Sequence, residues 1–582
     1  MKNYFLKLIF LVCAGALFSC EDFLTKDPKD KLTADQAFAS EATLQLYING
    51  LYANMLPAAP AIYSGDVMTD ITVPTVVPDY LLAGNITENN VTGWTWTNLR
   101  NLNYFIQNNH NVNISAAAKN HYSGIARFFR AYFYFGMVKR FGDVPWYNTT
   151  LDVADSTLYK ARDRREMIMD SVLADINFAC NNIYATKNTT GSTVTKWVAL
   201  ALKSRICLFE GTFRKYHTEL SLTGNPNDWF AAAADASQQL MSSGQYSLVT
   251  GNATSAYRSL FINETPNTQE IILASVYNNS LQKWHASTYW YNSPTTGSRL
   301  SLDKHFVNTY LNIDGSRFTD KAGYDTLTYQ REIVNRDARL GQTVRLPTYV
   351  RSDGSLGFPN FNVTITGYHT MKFSLDNPYY DSRSESYNSI PIMRYAEVLL
   401  NYAEAKSELG TLTAEDWDKT IGALRKRAGI TNTAQPTVAD AYLRANFYPG
   451  ISDPVLLEIR RERGIELVGE GFRFDDLLRW KSGSNLEKVY TGMYVPGLNQ
   501  LIDLNSDGKP DVCFVSSTPA STVSGVVYVN INGTVSKLSG GTKGNLLWNV
   551  NQVKTFGDNR YFYPIPYSEI QLNPKLTQNT GW

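Results

Sequence analysis

The chain has 582 residues, 54 Lys+Arg against 53 Asp+Glu, 43% apolar side chains and five cysteines. At roughly 150 residues per domain this is room for two to four domains or one large one, and so apolar a chain with a net charge of only +1 is not intrinsically disordered. Near-neutrality without a run of like charges excludes nucleic acid as the expected partner, and 36 Tyr with 11 Trp point to recognition by stacking and hydrogen bonding instead.

Residues 1–19 read as a signal peptide: Lys2 and Lys7 flank an uncharged run, Leu8 to Phe18, about half the ~20 residues a transmembrane helix needs. Leu17-Phe18-Ser19-Cys20 has the form of a lipobox, so Cys20 is the expected lipidation site and residues 20–40 a lipidated tether. Several acyl chains give stable anchoring where a single one binds only marginally. Cleavage leaves 52 basic against 53 acidic residues, a net −1. Cys180, Cys207 and Cys513 then remain with no Cys-x-x-Cys spacing, and buried thiols are preferred to a Cys180–Cys207 bridge.

Residues 41–245 form an N-terminal helical-repeat part. Trp94 and Trp96 sit among Thr residues beside Arg100 and Asn101, a grouping that suits a sugar, whose C–H faces stack on rings while polar side chains read its hydroxyls. Apolar periodicity then predicts helices over Ile125–Phe141, Met167–Ile183, Val194–Phe209 and Trp229–Met241, a sequence of helices that suggests an α-solenoid or bundle although no fixed repeat period is visible. Residues 246–390 change to Thr, Asn, Ser, Tyr and Gly, a loop-rich region with small strands laid over the helices. It holds the second aromatic group, Trp284, Tyr289, Trp290 and Tyr291.

Residues 391–480 return to helix, predicted over Ile392–Leu409 and again after Ser452-Asp453-Pro454, a capping segment with Pro at the first turn. Glu458, Glu462, Glu466 and Glu470 recur every four residues, interleaved with Arg460, Arg461 and Arg463. The spacing predicts one helix face carrying an ion-pair network, in preference to acid/base chemistry or a two-metal site, for which no Glu-x-x-His is present. Residues 481–582 are loop-rich again. Within them Asp503, Asn505, Asp507 and Asp511, with Gly508 at position six, match the front of a calcium loop; position twelve is Phe514, and a metal-free Asx-turn loop is the alternative. None of the common catalytic motifs is present and the six histidines are scattered singly, so no catalytic residue and no required cofactor is expected.

Six segments in order resemble the SusD/RagB family of nutrient-binding surface lipoproteins: Cys20-Glu21-Asp22-Phe23-Leu24; Arg127 to Phe135 through Phe141-Gly142-Asp143-Val144-Pro145; Met393 to Ala405; Leu424 to Gly429; Glu462-Arg463 through Arg479-Trp480; and Tyr563-Pro564-Ile565-Pro566 with Asn573-Pro574 to Gln578-Asn579. The resemblance implies a mainly α fold, about four tetratricopeptide-like helix pairs supporting a loop-rich ligand face with small strands. It implies a glycan ligand, a SusC-like TonB-dependent transporter as partner, and lipid anchoring to the exterior of the outer membrane. The family's ligand residues do not map onto this chain, so the aromatic groups stand on their chemistry alone. Two other readings are a lipid-anchored glycan hydrolase with dispersed carboxylates and a binder of peptide or another nutrient for the same transporter type.

Overall fold

The computed structural model describes residues 34–295 and 299–582, so the signal segment and Cys20 lie outside the described residues. The principal N-terminal helices are α1 (Glu41–Met55), α2 (Thr97–Asn108), α3 (Ala116–Phe141), α4 (Arg165–Asn182), α5 (Lys196–Tyr216) and α6 (Pro226–Ser242). Helix α3 begins more than two turns before the aromatic periodicity does. Ser115 caps it by accepting from the Ala118 N–H, and the first turns are Ala-rich and polar, so no apolar stripe announces them. It ends at Gly142, whose φ of 73° is the left-handed conformation that glycine adopts without a Cβ penalty. Phe128, Phe129, Tyr134 and Phe141 are all buried on it. Successive helices pack on one another, α3 on α4, α4 on α5 and α5 on α6, which is the stacking of a helix-pair scaffold.

Strand β1 (Ile271–Ser275) follows, then the short helix α7 (Ser287–Asn292), strand β2 (Ile390–Arg394) and helix α8 (Tyr395–Glu408). Here the sequence expectation is corrected, because Ile392 to Arg394 are strand and the helix starts at Tyr395. Pro391 and two isoleucines favour extended chain, and β1 supplies an antiparallel partner across which all five β2 residues are buried. Helix α8 packs on α6 and on α9 (Pro454–Leu467), capped by Asp453 with Pro454 in its first turn as the sequence predicts. Helix α10 (Arg473–Arg479) packs on α5. Beyond it lie two small three-stranded sheets. Strand β3 (Tyr490–Val495), β8 (Gly544–Trp548) and β7 (Ser536–Leu538) form one, and β4 (Leu501–Ile502), β5 (Val512–Val515) and β6 (Val527–Asn530) the other. The last helix is α11 (Tyr567–Leu572).

The glutamate row is an ion-pair network that ties the scaffold together. Glu466 accepts from Arg339 at 2.9 Å, from Arg394 at 2.5 Å and from Arg427; Glu462 pairs with Arg339 and Arg425, and Glu458 with Arg425. Glu470 pairs with Arg394 and Lys372 but lies beyond the end of α9, brought back by the left-handed Gly469 and Gly471 rather than by helical spacing. Glu270, just before β1, binds Arg394 and Arg427, so the loop-rich middle of the chain joins the same network. Every one of these side chains is at most 4% exposed. Pairing of this kind offsets the cost of burying charge.

Cys180, Cys207 and Cys513 are free and buried, and burial pushes the thiols of Cys180 and Cys207 up to about 12. Among the described residues no helix is long and apolar enough to cross a membrane.

Candidate functional site

The first aromatic group opens onto a cleft of about 440 Å³ between the start of α2, the 145–159 loop and α11. Its floor is positioned from the scaffold. Arg130 on α3 is held by Asp175 on α4 through two hydrogen bonds of 2.6 and 2.8 Å, and it donates to the side-chain amide oxygen of Asn103 on α2 at 3.0 Å. The Asn103 amide then donates to the backbone carbonyls of Tyr147 and Thr149, fixing the loop that carries the opposite wall. Tyr134 supplies a second hold by accepting from the Tyr147 N–H at 2.6 Å.

Trp96 immediately precedes α2 and is half-buried, its ring edge-on to Tyr147 at 5.6 Å and to Trp94 at 5.4 Å. Trp94 is 8% exposed and wedged against Phe141, so it backs the cleft more than it faces it. Arg100 lies on helix α2 and not in a loop, and its guanidinium donates to the Leu151 carbonyl. Asn101 is exposed and does not line the cleft; the Tyr47 hydroxyl donates to its backbone carbonyl. The structure adds Tyr147 and Tyr159, and an apolar rim at Leu158 and Leu572. Tyr147 donates its hydroxyl to the Leu158 carbonyl at 2.8 Å and so ties down the rim. Glu569 is the one carboxylate among the described residues that lines this cleft.

The second group is helical, with Tyr289, Trp290 and Tyr291 on α7. The short helix turns Tyr291 inward: it is 2% exposed and donates its hydroxyl to the Tyr63 carbonyl, so it supports the surface without presenting a face. Trp290 is half-buried against Tyr63 at 5.4 Å and Tyr291 at 4.9 Å, while Trp284 donates its indole N–H to Asn279. Helix α7 packs on residues 378–388 through Thr288 N–H to Ser386 and the Asn292 amide to Asp381. That segment carries a band that sequence reasoning missed. Tyr379, Tyr380 and Tyr387 meet edge to face at 5.0 and 5.6 Å, and Arg383 lies over Tyr379 at 4.3 Å. Tyrosines among Pro, Asp and Ser carry the same signal that singled out Trp94 and Trp96. Burial holds the nearby His285 at about 4, so it is neutral at physiological pH.

In the Asp503–Asp511 loop the side chains cap the turn itself. Asp503 accepts from the N–H groups of Asn505, Ser506 and Gly508, Asn505 from that of Asp507, Asp507 from that of Lys509, and Asp511 from that of Leu504. These are Asx turns. Among the described residues no group of three or more His, Cys, Asp or Glu side chains is arranged to hold a metal ion.

The fold and these surfaces define a helical-scaffold protein that presents aromatic clefts on its loops and helix ends. Residues 269–582 match the SusD family, and residues 39–199 match a family described as starch-binding and associating with the outer membrane. The chain belongs to the SusD family. It is 23% identical over 512 residues to SusD-like protein P38 of Formosa agariphila, covering 82% of this chain and 91% of that one. Among solved structures it resembles a SusD-like protein from Bacteroides fragilis, with a TM-score of 0.69 at 21% identity over 96% of this chain and all of the other. It also resembles a SusD-like carbohydrate-binding protein from the same species, with a TM-score of 0.67 at 20% identity over 93% and 99% of the two chains. The mainly α, small-sheet architecture expected from the resemblance is therefore the architecture found.

Proposed function

We propose that this protein is a non-catalytic, lipid-anchored glycan-binding protein on the exterior of the outer membrane, one that passes captured saccharide to a SusC-like TonB-dependent transporter. The observation that carries the reading is the pairing of half-buried rings with fixed polar groups: Trp96 and Tyr147 beside Arg100 and Thr149 in the cleft, and Trp290 with the Tyr379–Tyr387 band on the second surface. Rings held by packing lose little entropy when a sugar stacks on them. Membership of the SusD family, and a carbohydrate-binding protein among the structural neighbours, support the same ligand class. Glycoside hydrolysis needs two carboxylates flanking the bond, and Glu569 has no carboxylate partner in the cleft lining.

The test is affinity electrophoresis of the soluble body lacking Cys20 across a panel of polysaccharides. Retardation by at least one neutral glycan is expected, and Trp96→Ala weakens it by about tenfold or more if the cleft is the platform, since one stacked ring contributes ~1–3 kcal/mol. No retardation by any polysaccharide, with retained binding of peptides, would refute the ligand class; release of reducing ends would refute the non-catalytic assignment. Cys20→Ser should lose the acyl label and the membrane fraction together, and the transporter should co-purify with the lipidated form. A calcium ion in the Asp503–Asp511 loop would have to compete with the backbone donors that Asp503, Asn505, Asp507 and Asp511 now satisfy. A calcium-dependent rise in Tm of chelator-treated protein is the observation that would place one there.

A further inference from the structure

Away from both aromatic surfaces proper, a cleft of about 600 Å³ is lined by Arg258, Arg336, Tyr349, Asp376, Ser259 and Thr348. Its own lining holds Arg258 and Arg336 with Asp337 and Asp376, and further arginines lie beside Tyr349. Arg258 pairs with Asp376 at 2.7 Å, and the same carboxylate accepts from the Tyr349 hydroxyl at 2.5 Å. Arg336, 5% exposed, lies 3.6 Å over the Phe318 ring and donates only to the backbone carbonyls of Glu332, Val307 and Tyr310. Glu332 and Asp337 act on it electrostatically, but each forms its ion pair with another cation, Glu332 with Lys304 at 3.3 Å and Asp337 with Arg339 at 2.7 Å. Arg345, 7% exposed and 5.8 Å from the Tyr349 ring, donates to Asn292 and has no carboxylate partner among the described residues. Burial and the proximity of Arg351 pull its pKa down to about 10, and burial does the same to Arg336. Arg258, Arg336 and Arg345 each keep a buried Nε with no hydrogen-bond partner. Counting Arg345 and Arg351, which lie beside the cleft and not in its lining, the four guanidiniums have two carboxylates as ion-pair partners, Asp376 for Arg258 and Asp381 for Arg351.

This excess positive charge is continuous with the second aromatic surface. Asn292 at the end of α7 accepts from Arg345 and donates to Asp381, which Arg351 holds with two bonds of 2.5 and 2.8 Å. A chain captured along Trp290 and the tyrosine band would thus bring its next residues toward Tyr349. Guanidiniums desolvated in a cleft favour a planar or tetrahedral oxyanion over a neutral hydroxyl.

We propose that the cleft at Arg258, Arg336 and Tyr349 binds the anionic group of an acidic saccharide, a carboxylate or sulfate ester carried on a sugar ring. The proposal rests on the glycan-binding reading and narrows it: the net charge near zero conceals a local cationic site.

Calorimetric titration of the soluble body with three oligosaccharides of equal length tests it: an oligogalacturonate, a sulfated galactan fragment and the neutral galactan fragment. At least one acidic probe should bind about tenfold more tightly than the neutral one and weaken as salt is raised, and which of the two it is distinguishes carboxylate from sulfate. Asp376→Asn, which removes the competing internal anion, should tighten the acidic probe about fivefold, whereas Arg258→Gln should weaken it about tenfold, with the neutral probe unchanged in both. Equal affinity for acidic and neutral probes, or an acidic affinity indifferent to salt and to Asp376→Asn, overturns the proposal. If no saccharide binds, the glycan reading fails on its own. Sodium sulfate then decides the cleft: a rise in Tm that Asp376→Asn enlarges supports an oxyanion site, and no such difference overturns it.

Discussion

Glu466→Gln tests whether the buried network holds the scaffold. The glutamate Oε1 accepts from Arg394 and Arg427 and its Oε2 from Arg339. An amide keeps one acceptor and turns an NH2 toward at least one guanidinium that cannot accept a hydrogen bond, leaving buried positive charge uncompensated. Removing one partner of a buried pair costs about 3–5 kcal/mol. With an unfolding entropy of about 2.1 cal/mol/K per residue, a chain of this length loses roughly 3 °C in Tm for ~4 kcal/mol. The pH dependence sharpens the test. Burial opposes ionisation of Glu466, but Arg427, Arg394 and Arg339 outweigh it and hold its carboxyl well below the usual range. A depressed folded-state pKa stabilises above the unfolded value of about 4.3, and that contribution fades as pH falls through it toward the folded pKa. Thermal unfolding followed by circular dichroism should therefore show the wild-type advantage in full at pH 7 and a smaller one near pH 3. A Tm difference under 1 °C at pH 7, or one that does not shrink in acid, would refute the argument.

Tyr147→Phe removes the hydroxyl that holds Leu158, so glycan affinity should fall several-fold with Tm nearly unchanged, since one net hydrogen bond is worth about 1 kcal/mol; an unaltered affinity would show that the rim plays no part. Tyr379→Ala at the 50% exposed ring should weaken capture on the second surface without affecting folding, measured on the same gels as Trp96→Ala. Cys180 and Cys207, with thiols pushed up to about 12 by burial, should resist alkylation in the native protein at pH 8 and react on unfolding, as mass spectrometry would record.

The scaffold was legible in the sequence because its helices are long, their aromatic stripes wide and their caps explicit at Asp453-Pro454 and Gly142. The exception, Ile392 to Arg394, is a segment whose residues suit either state and whose strand partner, Ile271 to Ser275, lies far away in the chain. How the candidate aromatic residues lie in the fold was half legible. Residue type marked Trp96 and Trp290, but whether a ring faces solvent depends on what packs behind it, and Tyr291 and Trp94 face inward because Tyr63 and Phe141 are there. Nothing local in the sequence marks the cleft at Arg258 and Arg336, since its excess charge exists only after Asp337 and Glu332 have been claimed by Arg339 and Lys304.

The same accounting separates the two roles that arginine plays in this molecule. In the α9 network each guanidinium meets at least one buried carboxylate, as Arg339, Arg394, Arg425 and Arg427 do, and Trp480 and Tyr257 close over the ensemble. These groups are buried and engaged with one another, so the motifs that carry the family resemblance, Met393 to Ala405 and Glu462 to Trp480, describe scaffold. Arg336 and Arg345 differ in that their hydrogen bonds go to backbone or amide oxygens and not to a carboxylate. The proposed function thus puts specificity where the rings are left half-covered, at Trp96 and Tyr147 and on the elements between residues 254 and 388 that the helical stack holds in place but does not itself determine.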